Sequence, residues 1–73
     1  MTMIQKEKKH YIDRLSEIIC QNNNFKSLSY SVENEIETVT ITCNNDYEYK
    51  VDVTADSIIA MTKDIAVVML KHS

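Results

Sequence analysis

The chain has 73 residues, 44% of them hydrophobic, a net charge of −3 and no Gly, Pro or Trp. That length makes one domain, residues 1–73, and a domain so small buries only about 60% of the surface its unfolded chain exposes, so no deep catalytic cleft fits beside a core. Neither a membrane span nor a leader is expected: the longest apolar run, Ile65 to Leu70, is far too short to cross a bilayer, and Met1–Ile4 leads straight into charged residues.

In chain order, Ile4, Tyr11, Ile12, Leu15, Ile18 and Ile19 recur at helical spacing, which predicts a first helix from about Ile4 to Cys20 with one narrow apolar stripe. Lys9 and Asp13 attract across one turn of it, whereas Asp13 and Glu17 repel mildly. With glycine absent, turns fall to Asn and Asp, which tolerate the left-handed region. Asn22, Asn23 and Asn24 are therefore expected to close the helix, and Phe25 to anchor the chain as it leaves.

Three strands are predicted next: Lys26–Glu33, Ile36–Cys43 and Asp46–Val53. Leu28, Tyr30 and Val32 share one parity with Val39, Ile41 and Cys43, and with Tyr47, Tyr49, Val51 and Val53. The other parity reads Ser27, Ser29, Ser31, Glu33, then Thr38, Thr40, Thr42, then Glu48, Lys50, Asp52. Alternation of this kind predicts one buried face and one wet face. Ile36 falls on the wrong parity, so an irregularity is expected beside the Asn34-Glu35 turn, and Asn44-Asn45 is a type I′ hairpin candidate. Tyr47 and Tyr49 are expected to give large rings to the core.

Thr54 or Asp56 is the expected cap of a second helix running to about Lys71. Its apolar residues, from Ile58 to Leu70, cover an arc of roughly 200° on a helical wheel. That is more than one sheet face needs, so either the first helix covers the flank or the surplus forms a homodimer contact through the second helix. The expected fold class is α+β: an α-β-β-β-α chain with a three-stranded antiparallel meander and two helices on one face.

Charge is unevenly spread, at +2 over residues 1–14 and −6 over residues 30–56. The basic cluster Lys6, Lys8, Lys9, His10 and Arg14 reads either as a phosphate contact or as the solvated face of a helix. Cys20 and Cys43 are expected to be reduced thiols in a cytoplasmic protein, Cys43 in the core. With His10 and His72, expected on exposed helix positions, they lack the tight spacing of a zinc site. No catalytic residue, metal or cofactor is assigned, so the protein is not expected to be an enzyme. The acidic set Glu33, Glu35, Asp46, Glu48 and Asp52 has two readings. One is solubility and protection of the wet sheet against edge pairing. The other is recognition of a basic protein groove, with strand-borne carboxylates meeting Arg side chains in charge-assisted hydrogen bonds.

Two families resemble this pattern. The element order and length resemble the double-stranded RNA-binding domain over the whole chain. Here, though, Asn34-Glu35 stands where that family has a Gly-Pro-x-His loop, and Ala55-Asp56-Ser57-Ile58-Ile59 where it has a Lys-Lys-x-x-Lys cluster. The resemblance implies the fold without the phosphate contacts. Residues Ile41 to Tyr49, followed by Ser57-Ile58, resemble the Asn-Asn-Asp-x-x-Glu-Tyr hairpin and next helix of the small acidic type II-A anti-CRISPR proteins of phages, which inhibit Cas9 at its PAM-reading site. The turn is one residue shorter than theirs and lacks their Gly, and the acidic third helix of that family has no counterpart. This resemblance implies that Asp46 and Glu48 contact arginines of a target protein. Frequent Asn, Lys and Ile also fit an AT-rich genome such as that of a low-GC bacterium or its phage. The expected function is thus a small acidic protein-binding module, an inhibitor from a phage or prophage that acts as a nucleic-acid mimic. The alternatives are a nucleic-acid-binding domain and a homodimeric structural or regulatory protein.

Overall fold

A computed structural model describes residues 1–19 and 25–72. The order is helix α1 (Met3–Ile19), strands β1 (Phe25–Glu33), β2 (Ile36–Cys43) and β3 (Glu48–Asp52), and helix α2 (Ile58–Lys71). The strands form one antiparallel sheet in the order β1-β2-β3, as the alternating pattern predicts. Cys20 and the Asn22–Asn24 triplet lie outside the described residues.

The first helix begins with a capping box that the stripe alone does not reveal. The Thr2 hydroxyl accepts from the Gln5 N–H at 3.2 Å, and the Gln5 side-chain oxygen accepts from the Thr2 N–H at 2.9 Å. This reciprocal pair satisfies two otherwise orphaned donors. The buried side of α1 follows most of the predicted stripe, with Ile12 buried and Tyr11, Leu15 and Ile19 packed against the core. Lys8 and Ile12 are its buried residues, and one turn further on Ser16 accepts a 2.9 Å hydrogen bond from the Leu28 N–H of β1. Ile4 and Ile18 of the stripe are exposed. Two polar residues, Lys8 and Ser16, therefore share the face that the apolar stripe presents to the sheet.

A single core lies between the sheet and the helices. Ile12 of α1 and Met61 and Ile65 of α2 meet Leu28, Tyr30, Val39, Ile41 and Val53. Both helices therefore cover the same face. The Thr62 hydroxyl on α2 lies 3.1 Å from the Tyr11 hydroxyl on α1, so α1 does shield that flank. It does not shield the full arc, because Ile59 and Leu70 remain exposed.

The turns exchange the roles expected of them. Asn34 and Glu35 both have positive φ, 52° and 65°, which is the type I′ signature. Glu35 holds this conformation at a cost of roughly 1–2 kcal/mol relative to a right-handed one. Register runs unbroken through Glu33↔Ile36, so there is no irregularity beside this turn, and Ile36 simply lies on the open face. The irregularity sits at the other end of β1: Phe25 pairs with Cys43 and Ser27 with Thr42, which leaves Lys26 as the extra residue of a bulge. The bulge lets Phe25 and Leu28, three apart, bury on one face.

In the second turn only Asp46 has positive φ, 67°. The Asp46 N–H bonds to the Cys43 carbonyl at 2.9 Å and the Cys43 N–H to the Tyr47 carbonyl at 2.8 Å. That is a three-residue hairpin loop with its left-handed position last, not a type I′ turn. The strand β3 begins after it at Glu48, and Tyr47, opposite Cys43 at the end of the sheet, is 60% exposed. Tyr49 is half-buried, with Tyr47 tilted against it at 5.1 Å and the His72 ring stacked on it at 3.8 Å.

The cap of α2 is Ser57, whose hydroxyl accepts from the Ala60 N–H at 3.1 Å, rather than Thr54 or Asp56. Thr54 is occupied in closing the sheet. Its hydroxyl accepts from the Glu37 N–H at 2.8 Å and donates to Asp52 at 2.7 Å.

Candidate partner-binding face

The open face of the sheet is built in rows: Ser27, Thr42 and Glu48; Ser29, Thr40 and Lys50; Ser31, Thr38 and Asp52. Short hydroxyl side chains fill β1 and β2, and charges stand on the outer strand β3. Between them lies a shallow hollow of about 270 Å³, lined by Ser31, Glu33, Asn34, Ile36, Thr38, Thr40 and Lys50. Ile36 is the exposed apolar residue on its rim, although its parity alone suggests an anomaly of register.

The five acidic residues are all exposed, but the fold does not gather them. Glu33 and Glu35 belong to the β1–β2 turn, with Asp52 nearby on β3 opposite Thr38. Asp46 and Glu48 stand at the β2–β3 turn, at the far end of β2, which is about 23 Å long by strand geometry. The set is two groups rather than a ring around one centre. Asp52 is also partly engaged: its carboxylate accepts from the Thr54 backbone N–H and from the Thr54 hydroxyl, which hold it below the usual carboxylate range against a small opposing effect of burial.

The β2–β3 tip is the better defined of the two groups. The Asn45 side chain accepts from the Tyr47 N–H at 3.1 Å, adding to the two backbone bonds that close the loop. Asp46, Tyr47 and Glu48 project from this tied loop as acid, aromatic ring and acid. Asp46 meets Lys26 at 3.0 Å in a pair whose side chains are both largely exposed. Such a pair contributes about 0–1 kcal/mol, so a better cation can displace it. Sequence reasoning finds both acids but assigns Tyr47 to the core, because its parity matches Tyr49; that parity holds, with the two rings 5.1 Å apart, but Tyr47 lies beyond the end of β3 and stays exposed.

The basic cluster is thinner than its sequence implies. Lys8 is 2% exposed and turned into the protein, where its Nζ meets Glu37 at 2.8 Å and the Val53 carbonyl at 2.9 Å. Lys9 pairs with Asp13 at 3.0 Å, as its spacing predicts. Lys6, His10 and Arg14 are left to face solvent, a poor footprint for a phosphate backbone.

Glu37 is the charged residue that sequence reasoning misses altogether, although it shares parity with Val39 and Ile41. The Tyr30 hydroxyl donates to the same Oε1 at 2.6 Å. Burial pushes the Glu37 carboxyl up. The hydrogen bonds from Lys8 and Tyr30, the Lys8 charge and a lesser contribution from Gln5 outweigh it, and the group sits below its ordinary value. The Tyr30 phenol is pushed well up by its own burial, then by its bond to Glu37 and by the Glu37 charge, and stays protonated as a donor. The members of this triad bond to one another inside the fold, so it is a structural element. Among the described residues no group of three His, Cys, Asp or Glu is placed to hold a metal ion, and no helix is long and apolar enough to cross a membrane. Cys43 is a buried free thiol.

No family model, curated protein or solved structure matches the chain.

Proposed function

We propose that the protein is a non-enzymatic binding module whose β2–β3 hairpin and open sheet face dock into the basic, nucleic-acid-binding groove of a bacterial protein and block it. The observation that carries this reading is the hairpin tip, where Asp46, Tyr47 and Glu48 are presented to solvent by a loop closed with three hydrogen bonds. Preorganisation lowers the ordering cost of binding, and an aromatic ring beside charge-assisted bonds to Arg is a common composition for the residues that dominate an interface. Asp46 and Glu48 are the central pair. Glu33, Glu35 and Asp52 extend the negative surface along the sheet, with Ile36 as an apolar contact in the hollow. The hairpin's resemblance to phage anti-CRISPR inhibitors makes a PAM-reading pair of arginines one concrete target. The thinned basic cluster on α1 weighs against the nucleic-acid-binding alternative.

The test is a pull-down from a nuclease-treated low-GC bacterial lysate with the parent and the Asp46→Lys, Glu48→Lys double variant. Both substitutions lie at exposed positions, so the variant is expected to fold. A protein held by the parent, lost from the variant and released by added duplex DNA supports groove blockade. Equal capture by both proteins overturns it.

A further inference from the structure

The outer face of α1 carries a second feature, independent of the proposed binding face because it lies on the helical side of the sheet. An open groove of about 670 Å³ runs along this face from Met3 to Ile18. Met3 is 79% and Ile18 67% exposed, at opposite ends of a 17-residue helix about 26 Å long. Between them stand Glu7 and Arg14, both exposed, with no ion pair to any described residue. They are two helical turns apart on the same face, too far to bridge each other directly.

These residues are arranged symmetrically about the point midway between His10 and Tyr11. In an antiparallel pair of α1 helices with a two-fold axis at that point, Met3 of one copy lies level with Ile18 of the other, and Glu7 lies level with Arg14. His10 then meets Tyr11, and Lys6 lays its aliphatic stem over Leu15. Each contact occurs twice, as an isologous interface requires. Charge also rejects the competing arrangements. A parallel pair sets Glu7 against Glu7 and Arg14 against Arg14, and moving the two-fold axis to either residue brings like charges together. We propose that this face is the contact of a homodimer, its occupant being the α1 helix of a second copy in antiparallel register, with reciprocal Glu7–Arg14 ion pairs. This places the dimer on α1 rather than on the apolar arc of α2. None of the residues of this contact belongs to the open sheet face. A single helix face of this length falls below the standard interface of about 1,600 Å², so the association is reversible and concentration-dependent.

Sedimentation equilibrium on the whole chain, from low micromolar to near-millimolar concentration, tests the pairing, with circular dichroism to confirm that each variant folds. The parent is expected to dimerise. Glu7→Arg and Arg14→Glu each place like charges at two symmetry-related contacts and are expected to weaken the dimer by about tenfold or more. Mixing those two variants pairs Arg with Glu at both contacts and is expected to give a heterodimer, and the double variant carrying both changes is expected to recover the homodimer. A parent that stays monomeric throughout overturns the proposal. So does a dimer indifferent to both charge changes, or one abolished by Leu70→Glu on α2 while the α1 variants still associate.

Discussion

Lys8 reaches Glu37 at 2.8 Å near the β1–β2 end of the sheet, and Lys26 reaches Asp46 at 3.0 Å at the other end. The chemistry and the distance are nearly the same. What differs is water. Around Lys8 and Glu37 the side chains are almost fully buried, and the remaining hydrogen-bonding capacity is taken by Tyr30 and the Val53 carbonyl. Lys26 and Asp46 stand in solvent, which screens their attraction and competes for it. The buried pair therefore determines how the molecule is put together. An unpaired ammonium or carboxylate in that position costs so much that α1 meets the sheet only in the orientation that joins them. The exposed pair determines little about the fold, and this leaves Asp46 available to exchange Lys26 for a cation on a partner.

The largest expected effect comes from breaking the buried pair on one side. Lys8→Met leaves Glu37 without its cation and is expected to cost roughly 3–5 kcal/mol in urea unfolding. That is most of the stability of a domain this size, which at typical values per residue totals about 4–11 kcal/mol. Adding Glu37→Met to the same chain removes the stranded charge and is expected to restore much of the loss. If the double variant is as unstable as the single one, Lys8 acts through packing and the comparison with Lys26 fails.

A smaller effect is expected from pH. The Glu37 carboxyl lies below its ordinary value of 4.5 in the folded protein. A lowered folded pKa contributes stability that is complete above the unfolded value and is lost as pH falls through the folded one. Stability measured by urea titration is therefore expected to drop below about pH 4.5 more steeply in the parent than in Glu37→Gln. Asp56 acts in the opposite sense. Its hydrogen bond with Asp64, its burial and the Asp64 charge raise it, so its contribution is complete below its ordinary value and is lost as pH rises. Asp56 is present in both proteins and its limb runs in the opposite sense, so a steeper acid-side loss in the parent is assigned to Glu37. Identical profiles would mean that Glu37 does not govern the acid limb.

The smallest expected effect is at the exposed pair. Lys26→Met is expected to change unfolding free energy by less than about 1 kcal/mol, measured under the same conditions as Lys8→Met. A loss approaching that of Lys8→Met would show that the hairpin tip is fastened through Lys26, and that Asp46 is not free to change partners.

The order of elements, the two sheet faces and nearly all of the buried strand positions were legible in the sequence, because a period of two in the strands and of 3.6 in the helices is a local property. Leu28, Tyr30, Val39, Ile41 and Val53 are buried as their parity predicts. The exposed acids were legible too, as residue types on the wet parity and in the turns. An antiparallel meander already sets Glu33 and Glu35 at one end of the second strand and Asp46 and Glu48 at the other, and tertiary structure alone decided that Asp46 meets Lys26. It also decided the burial of Lys8 and Glu37, since the cost of each charge is cancelled only by a partner 29 positions away. The exposure of Tyr47 depended on it as well: its parity is that of Tyr49, but it lies past the last paired residue of β3, at the end of the sheet. Periodicity records which side chains avoid water, but a buried ion pair and the reach of the core at a sheet end are set by what the rest of the chain brings to meet them.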